Sequence, residues 1–443
     1  MKNILFFLVI TFVISGCDVL DVEPEYAISA DDAFKDKTGI ERGIIGTYSS
    51  LQSLSYHGRT FIIFGDLSAD NLTHPPDATA SDYAEVAGNA ILAENGAVGG
   101  IWASLYDGIN AANNIIVKVP GMSDMTDEEK NIALGELYFI RALNHFNLLN
   151  YFGAIPVKIQ PTVGVSSLDA GRDPVEAVYE QIITDLTFSE EYLLSSTSNK
   201  IRASKFAAKA LLARVYLYSG QFTLAYEKAN DVILNGGYTL LENYGDVFAA
   251  DGSAETIFEI DFTEVDRNRI AEYNFPKSLN GRREVAPDED LINAYEADDE
   301  RMAVSIAYDG VYAYANKYND ISTGADNVIV LRLAEMYLIR AEAEAHKASG
   351  NITDIQNDIN EIRTRANLPP TSASTISDLI IAIENERRME FAFEGQRWFD
   401  LVRTGRAVEV LSTVYNVNQT LFPIPLSELQ TNNSPGMYQN PGY

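Results

Sequence analysis

Tyrosine side chains in loop-like segments give this sequence its clearest means of holding a ligand. An aromatic ring can stack on the apolar face of a sugar, while Asn, Asp, Gln and Arg side chains pair with the sugar hydroxyls. The alternative is that each tyrosine only packs its loop onto the scaffold. Trp102 and Trp398 fall in helical patterns, and we expect both in the core. The chain has 24 tyrosines, and those in loop-like stretches include Tyr83, Tyr273, Tyr308, Tyr312, Tyr314 and Tyr318.

Motifs for phosphoryl, acyl or metal chemistry are missing from the sequence. It has no GxxxxGK phosphate loop, no GxGxxG helix opening, no GxSxG nucleophile elbow and no HExxH pair. The four histidines are scattered, and the single cysteine, Cys17, leaves the body of the protein without a thiolate nucleophile. We therefore predict a binding protein and not an enzyme, with no catalytic residue, no metal ligand and no cofactor.

The N-terminus predicts export and a lipid anchor. The apolar run Ile4–Ile14 is too short to span a bilayer and suits the core of a signal peptide. Small residues then lead into Cys17, as at a site where a peptidase cleaves in front of a cysteine that becomes lipidated. We predict a signal peptide over 1–16 and a lipidated cysteine with its tether over 17–37. An ordinary secretory signal is the alternative.

The chain is strongly acidic, with 63 Asp and Glu residues against 33 Lys and Arg residues. This balance argues against nucleic acid as a partner and against docking on anionic lipid through a basic patch. An acidic surface is compatible with neutral ligands such as sugars. The simpler interpretation is that the charge only keeps the protein soluble.

The segment from Ser204 to Gly237 has the most regular helical pattern. Ser204 is placed to cap a helix, Gly220 to turn the chain, and the glycine pair at 236–237 to end a second helix. Large and small apolar residues between these points follow tetratricopeptide-repeat spacing, which lets two antiparallel helices pack closely. The pattern predicts a helical hairpin that must stack on other hairpins.

Weaker patterns extend this scaffold. A capping box begins at Thr126, and its helix is expected to stop at Gly153. Asp173 and Thr353 are also expected to cap helices. Residues 328–348 are expected to form one long helix. We predict a mostly α fold, in which tetratricopeptide-like helical hairpins form a scaffold with long irregular loops and a few short β-strands.

Three segments depart from the helical pattern. Residues 65–96 are rich in Asp, Asn, Gly, Ala and Pro and are expected to form a long irregular excursion. Residues 256–262 are β-like, and 311–318 alternate in a way that places Tyr312 and Tyr314 on one face of a strand. A loop as long as the excursion at 65–96 is usually functional.

Residues 384–405 predict an amphipathic helix rich in charge. Opposite charges recur three or four positions apart, as in Glu384–Arg388 and Asp400–Arg403, so that ion pairs can form along its surface. Half-buried networks of this kind fix packing. We interpret the segment as scaffold and not as a ligand site.

The stretch Glu386–Arg403 (ERRMEFAFEGQRWFDLVR) resembles the hallmark of the SusD/RagB family. Four other segments resemble motifs of the same family in the same order: CDVLDVEP at 17–24, NYFGAIP at 150–156, LFPIP at 421–425 and QNPGY at 439–443. The resemblance therefore runs from end to end. It implies an N-terminal SusD-like region with helical repeats over 38–240 and a C-terminal SusD/RagB-like region over 241–443.

The resemblance implies a lipid-anchored glycan receptor on the outer face of the outer membrane of Bacteroidota. Members of the family cap a SusC-like TonB-dependent transporter as a lid, and deliver the ligand without doing chemistry. Their site lies on loops outside the repeat helices, which corresponds here to 65–90 and 265–318. The expected ligand-contacting residues are Asp70, Asn71, His74, Tyr83, Tyr273, Arg283, Tyr312 and Tyr314.

Three other functions remain open at this point. Capture of a peptide or another nutrient predicts a deep cleft with polar groups directed at a backbone. A repeat scaffold that only organises envelope proteins predicts a concave groove between helices. A glycoside hydrolase predicts two inward carboxylates about 5–10 Å apart in a cleft.

Overall fold

The computed structural model describes residues 30–164, 167–196, 199–348 and 350–443. The predicted signal peptide, Cys17 and most of the tether lie outside these residues. Helices dominate the described chain, and the strands are few and short, so the predicted fold class is confirmed. None of the described helices is long and apolar enough to cross a membrane.

The described residues form 18 α-helices and six short strands. The helices are α1 (Ala30–Ala33), α2 (Lys37–Ser50), α3 (Thr60–Leu67), α4 (Ser81–Ala87), α5 (Gly96–Ile116), α6 (Asp127–Phe152), α7 (Val175–Tyr192), α8 (Lys205–Tyr218), α9 (Phe222–Asn235), α10 (Ile270–Asn274), α11 (Glu289–Ala294), α12 (Glu300–Ser305), α13 (Leu333–Ala345), α14 (Ile352–Arg365), α15 (Ile376–Glu390), α16 (Arg397–Arg403), α17 (Ala407–Val410) and α18 (Leu426–Thr431). The strands are β1 (Leu72–Thr73), β2 (Thr256–Ile260), β3 (Ala286–Pro287), β4 (Ile306–Asp309), β5 (Tyr312–Ala315) and β6 (Val328–Arg332).

Helices α8 and α9 form the predicted hairpin. The Ser204 hydroxyl accepts a hydrogen bond from the backbone N–H of Ala207, and Gly220 turns the chain with φ +73°. Ala225 and Ala229 are buried, so the two helices approach closely, as the small side chains require. Helix α9 also packs against α13, which in turn packs against α14. Two hairpins therefore stack, and the repeat prediction is confirmed.

Helix caps were predicted correctly at α6 and α8 and wrongly at α7 and α14. The Thr126–Glu129 capping box is present, and α6 ends at Gly153 with φ +71°. The prediction of Asp173 as a cap is wrong, because α7 begins after Pro174 and the Asp173 carboxylate instead accepts from the backbone N–H of Val157. Helix α14 is capped by Asn351 and not by Thr353.

The prediction of one helix over 328–348 is wrong in its first turn. Val328–Arg332 is strand β6, which pairs antiparallel with β2, and α13 begins only at Leu333. A run of β-branched residues favours a strand when a partner strand is available. The predicted excursion over 65–96 is also less irregular than expected, because it contains β1 and the seven-residue helix α4.

The charged segment at 384–405 forms two helices and not one. Helix α15 ends at Glu390, and a tight turn with left-handed backbone at Phe393 and Gly395 leads into α16. This turn packs against α3: a Cβ on Gly65 would lie 2.2 Å from the carbonyl oxygen of Gly395. The predicted Asp400–Arg403 ion pair forms at 2.9 Å. Most of the other charges pair across the fold instead of along one helix.

These charges build what we call the buried ion cluster, formed by Glu255, Arg332, Arg365, Glu390 and Glu394. The Arg332 guanidinium lies 2.9 Å from a Glu255 oxygen and 2.8 Å from a Glu394 oxygen, and it also contacts Glu390. Burial acts to raise the pKa of Glu390, but the neighbouring arginines outweigh it and hold that pKa well below its usual range. Apolar residues of both predicted regions share the core around this cluster, and the division at residue 240 stays a prediction.

Candidate functional site

The two segments expected to carry the ligand site meet in one surface. Strand β1 pairs antiparallel with β3, with Leu72 opposite Pro287. The carboxylate of Glu284 then accepts hydrogen bonds from the backbone N–H groups of Thr79 and Ala80 at 2.8 and 2.9 Å. The excursion after α3 is thereby fixed to the segment between α10 and β3. We call the joined region, residues 74–83, 267–284 and 306–315, the loop surface.

A β-hairpin supplies the exposed aromatic rings of the loop surface. Strands β4 and β5 pair with Asp309 opposite Tyr312 and Ala307 opposite Tyr314, so both tyrosines share one face as predicted. The turn between the strands contains Gly310 at φ +60°. Tyr312 is 44% exposed, whereas Tyr314 is half-buried against the ring of Phe275 at 4.5 Å. Alternation places Tyr308, 53% exposed, on the opposite face.

Arg283 is held against Tyr312. Its guanidinium lies 4.4 Å from the centre of the Tyr312 ring, and it also forms an ion pair with Asp77 of the excursion. The backbone of Arg283 is left-handed, with φ 55°, which is unusual for a residue with a side chain. Neighbouring Arg282 contacts a different ring, that of Tyr273. A tyrosine, an arginine and a carboxylate from separate segments therefore meet at the surface in a fixed arrangement.

Tyr83 and Tyr273 lie beneath this surface and not on it. Both are buried, with their ring centres 5.4 Å apart, and Arg59 and Arg282 lie over the Tyr273 ring at 4.2 and 4.8 Å. Burial raises the pKa of Tyr83 to about 12. Cation–π contacts of this kind hold side chains in place. Tyr83 and Tyr273 therefore pack the excursion onto α10. This is the alternative role considered above, in which a tyrosine only packs its loop onto the scaffold.

Asp70 and Asn71 are committed to contacts within the fold. The Asp70 carboxylate accepts from Arg397 at 2.7 and 3.0 Å, and Arg388 lies 3.2 Å away. The Asn71 amide donates to Asp66 at 2.6 Å and accepts from Arg388 at 3.1 Å. Both side chains join the start of the excursion to the C-terminal signature, so the proposed site excludes them.

His74 is half-buried beside the proline pair of the excursion. Its Nε2 is enclosed and has no hydrogen-bond partner among the described residues. Of the eight expected residues, Tyr312 is exposed, and Arg283, whose side chain is 14% exposed, and Tyr314 are half-buried beside it. No group of three or more His, Cys, Asp and Glu side chains in the described ranges has the geometry of a metal site. The loop surface offers stacking, hydrogen bonding and charge.

Two family models match this chain. The model described as "Starch-binding associating with outer membrane" matches residues 18–217, and that described as "SusD family" matches residues 310–443. Together they match most of the chain, and the second contains the charged C-terminal signature. The chain belongs to the SusD/RagB family. The family predicted from the sequence motifs is confirmed.

Known SusD/RagB proteins align over most or nearly all of the chain. It is 28% identical to "SusD-like protein P2" of Formosa agariphila, over 99% of each chain. It is 25% identical to "Starch-binding protein SusD" of Bacteroides thetaiotaomicron, over 72% of this chain and 74% of that one. A solved structure described as a "Laminarin binding SusD-like protein" superposes with a TM-score of 0.81 at 26% identity, over 92% of this chain and all of that one.

A separate cavity of about 290 Å³ lies between α5, residues 156–168 and α18 of this SusD/RagB chain. Its wall includes Trp102, which is almost fully buried as predicted, and Tyr106, whose hydroxyl donates to the carbonyl of Pro156 at 2.8 Å. A Cβ on Gly99 would meet nothing closer than Pro425 at 3.9 Å. A larger side chain at Gly99 would therefore occupy part of the cavity, and its Cβ would not clash with the surrounding atoms, which provides a test of this second location.

Sequence reasoning missed charged residues that contact Arg283 and the buried Tyr273. Asp77, Arg59 and Arg282 were not expected at the site, although each contacts an expected residue or its neighbour. One signal was available: Arg282 and Arg283 form a pair of basic residues in an acidic chain. The contribution of Arg59 had no local signal, because it precedes α3 and reaches Tyr273 only in the folded protein.

Proposed function

We propose that this protein is a non-catalytic, cell-surface glycan-binding lipoprotein that delivers its ligand to a SusC-like TonB-dependent transporter. The loop surface is the proposed ligand site, and Tyr312 with Arg283 is its centre. Tyr314 completes it on the same face of the hairpin, whereas Tyr308 lies on the opposite face and outside the proposed site. The helical hairpins serve as the scaffold that holds these loops.

One observation carries the proposal: an exposed tyrosine ring is fixed in place by an arginine that is itself paired to a second segment. A ring held in one orientation loses little conformational freedom when a sugar stacks on it. The Asp77 carboxylate, whose side chain is 50% exposed, is suited to accept from a sugar hydroxyl group near that ring. Two relatives named for binding starch and laminarin support a glycan as the ligand.

The site supports binding and not turnover. Stacking and hydrogen bonding give affinity without breaking a covalent bond, and both relatives named for a ligand are named as binding proteins. Transport energy would come from the partner barrel. A peptide is the competing ligand class, and it would need polar groups that are directed at its backbone.

Two observations support a location at the outer membrane. The matching family model is described by association with the outer membrane, and the N-terminal sequence offers Cys17 as the lipid attachment point. Several acyl chains on one cysteine suffice for stable anchoring where a single chain does not. We propose that the lipid is the membrane anchor. We also propose that this protein forms the lid and that its loop surface faces the transporter.

Calorimetry and affinity electrophoresis with the soluble chain starting after Cys17 test the proposal. The panel should contain soluble polysaccharides of different linkage and charge, with a mixture of oligopeptides as the competing class. We expect saturable binding to at least one polysaccharide and no release of reducing sugar during prolonged incubation. Binding only to peptides, or measurable hydrolysis of a bound polysaccharide, would contradict the proposal.

A further inference from the structure

Four arginines gather on the side of the loop surface next to Tyr273. Arg59 and Arg282 lie over the ring of this tyrosine, and Arg267 and Arg269 come directly before α10, which contains it. The backbone also joins them, since the N–H of Arg269 donates to the carbonyl of Gly58 at 2.8 Å. We call Arg59, Arg267, Arg269 and Arg282 the exposed arginine cluster.

The carboxylates that pair with this cluster hold its arginines only loosely. Arg267 and Arg269 share one carboxylate, Glu272, at 4.0 and 3.6 Å, which is beyond hydrogen-bond distance. Arg282 pairs with Glu284 at 3.0 Å, but that carboxylate also accepts from two backbone N–H groups. The side chains of Arg267, Arg269 and Arg282 are 44%, 37% and 44% exposed.

Two more carboxylates lie near Arg267 but are already occupied. Asp320 accepts from Ser322, Thr323 and Ala325 within its own turn. Asp326 accepts from the side chain of Asn268 and from the backbone N–H of Asp320. The Nε of Arg269 is enclosed and has no hydrogen-bond partner in the described part of the chain. Arg267, Arg269 and Arg282 therefore keep exposed N–H donors and have only loosely held carboxylate partners, in a protein with a formal charge of −30.

Loosely paired, partly exposed guanidiniums on a strongly acidic protein point to an anionic ligand. Repulsion from the rest of the surface disfavours non-specific adsorption of polyanions, so the cluster acts at short range. Guanidinium groups bind carboxylate and sulfate oxygens through paired N–H donors. Arg282 is adjacent in sequence to Arg283, which holds the exposed Tyr312. The anion site and the stacking ring therefore belong to one surface.

We propose that the exposed arginine cluster selects glycans that carry anionic groups, with the charged substituent on the arginines and an adjacent ring on Tyr312. This inference rests on the proposed glycan-binding function and narrows it to acidic polysaccharides. The anionic group is a uronate carboxylate or a sulfate ester, which share the same guanidinium chemistry. A neutral glycan would use the tyrosine but leave the arginines without a ligand partner.

The experiment measures affinity by calorimetry for polygalacturonate, a sulfated galactan and neutral laminarin. The variants are Arg267→Gln/Arg282→Gln, Arg282→Lys and the matched control Arg42→Gln, which alters an exposed arginine on α2. Melting curves establish that each variant is folded. We expect the double glutamine variant to lose about tenfold or more in affinity for the acidic polymer that binds. Arg282→Lys should lose less, and Arg42→Gln should match the wild type.

Salt provides an independent measurement. Affinity for the acidic polymer should fall as NaCl rises, and this dependence should be weaker in the double variant. Binding of one acidic polymer and not the other supports the proposal and identifies the anionic group. Binding of laminarin alone, or unchanged affinity of the double variant for an acidic polymer, overturns the inference but leaves the proposed function intact. Failure of every polysaccharide to bind overturns both.

Discussion

The buried ion cluster and the exposed arginine cluster use the same residue types under opposite conditions. In the buried cluster, Arg332 contacts three carboxylates, and its distances to Glu255 and Glu394 are below 3 Å. In the exposed cluster, Arg267 and Arg269 share Glu272 at 3.6 Å or more. The difference shows that the count of arginines and carboxylates in a segment does not distinguish scaffold from binding site. The degree to which each charge is already paired does.

Solvation explains why the two regions differ. A guanidinium that leaves water must recover its solvation through several close partners, and the C-terminal signature supplies them. An exposed guanidinium keeps its water and needs no internal partner. It remains able to exchange that water for a ligand, which is the property that a receptor surface requires.

The largest expected effect comes from breaking the buried ion cluster. Arg332→Met removes the cation between Glu255, Glu390 and Glu394 and leaves these carboxylates buried with fewer partners. We expect the free energy of unfolding to fall by about 3–5 kcal/mol, measured by chemical denaturation. Arg267→Met in the exposed cluster is the matched substitution and should cost less than about 1 kcal/mol. Equal losses in the two variants would refute the distinction between the clusters.

A buried carboxylate without an arginine partner sharpens the comparison. Asp66 accepts from the Asn71 amide at 2.6 Å and from the N–H of Gly395 at 2.7 Å, and burial raises its pKa to about 7. The folded state therefore retains this proton at pH values where the unfolded chain has lost it. The contribution of Asp66 to stability is present below about pH 4 and is lost as the pH rises to about 7.

Asp66→Asn removes this titration. Between pH 4 and pH 7 we expect the wild type to lose unfolding free energy relative to the variant, by an amount on the order of a few kcal/mol. Above about pH 7 the difference should be constant. Denaturation series at several pH values measure it. A difference that does not vary with pH would mean that Asp66 is ionised in the folded protein throughout this range.

Local chemistry made part of the fold predictable. The caps at Ser204 and Thr126 and the stop at Gly153 depend on residues within one turn of the helix end, and all three were predicted correctly. The helix predicted over 328–348 failed at its start because β6 pairs with β2, about 70 positions earlier in the sequence. Such a partner has no local signature.

In the candidate site, too, features set by neighbouring residues were predictable, and contacts between distant segments were not. The shared face of Tyr312 and Tyr314 was predictable from alternation within one strand. The arginine cluster was not, because Arg59 and Arg282 meet only on the ring of Tyr273. The overall acidic composition pointed towards neutral ligands, because a net charge does not show which arginines stay exposed and loosely paired in the folded protein.

The central claim, that ligand binds on the loop surface, is tested most directly by comparing Tyr312→Ala with Gly99→Leu. Using a polysaccharide that binds the wild type, calorimetry should show affinity reduced by about 1–3 kcal/mol in Tyr312→Ala. Gly99→Leu occupies part of the separate cavity beside Tyr106 and should leave affinity unchanged. Full affinity in Tyr312→Ala together with lost binding in Gly99→Leu would contradict the account and move the site to that cavity.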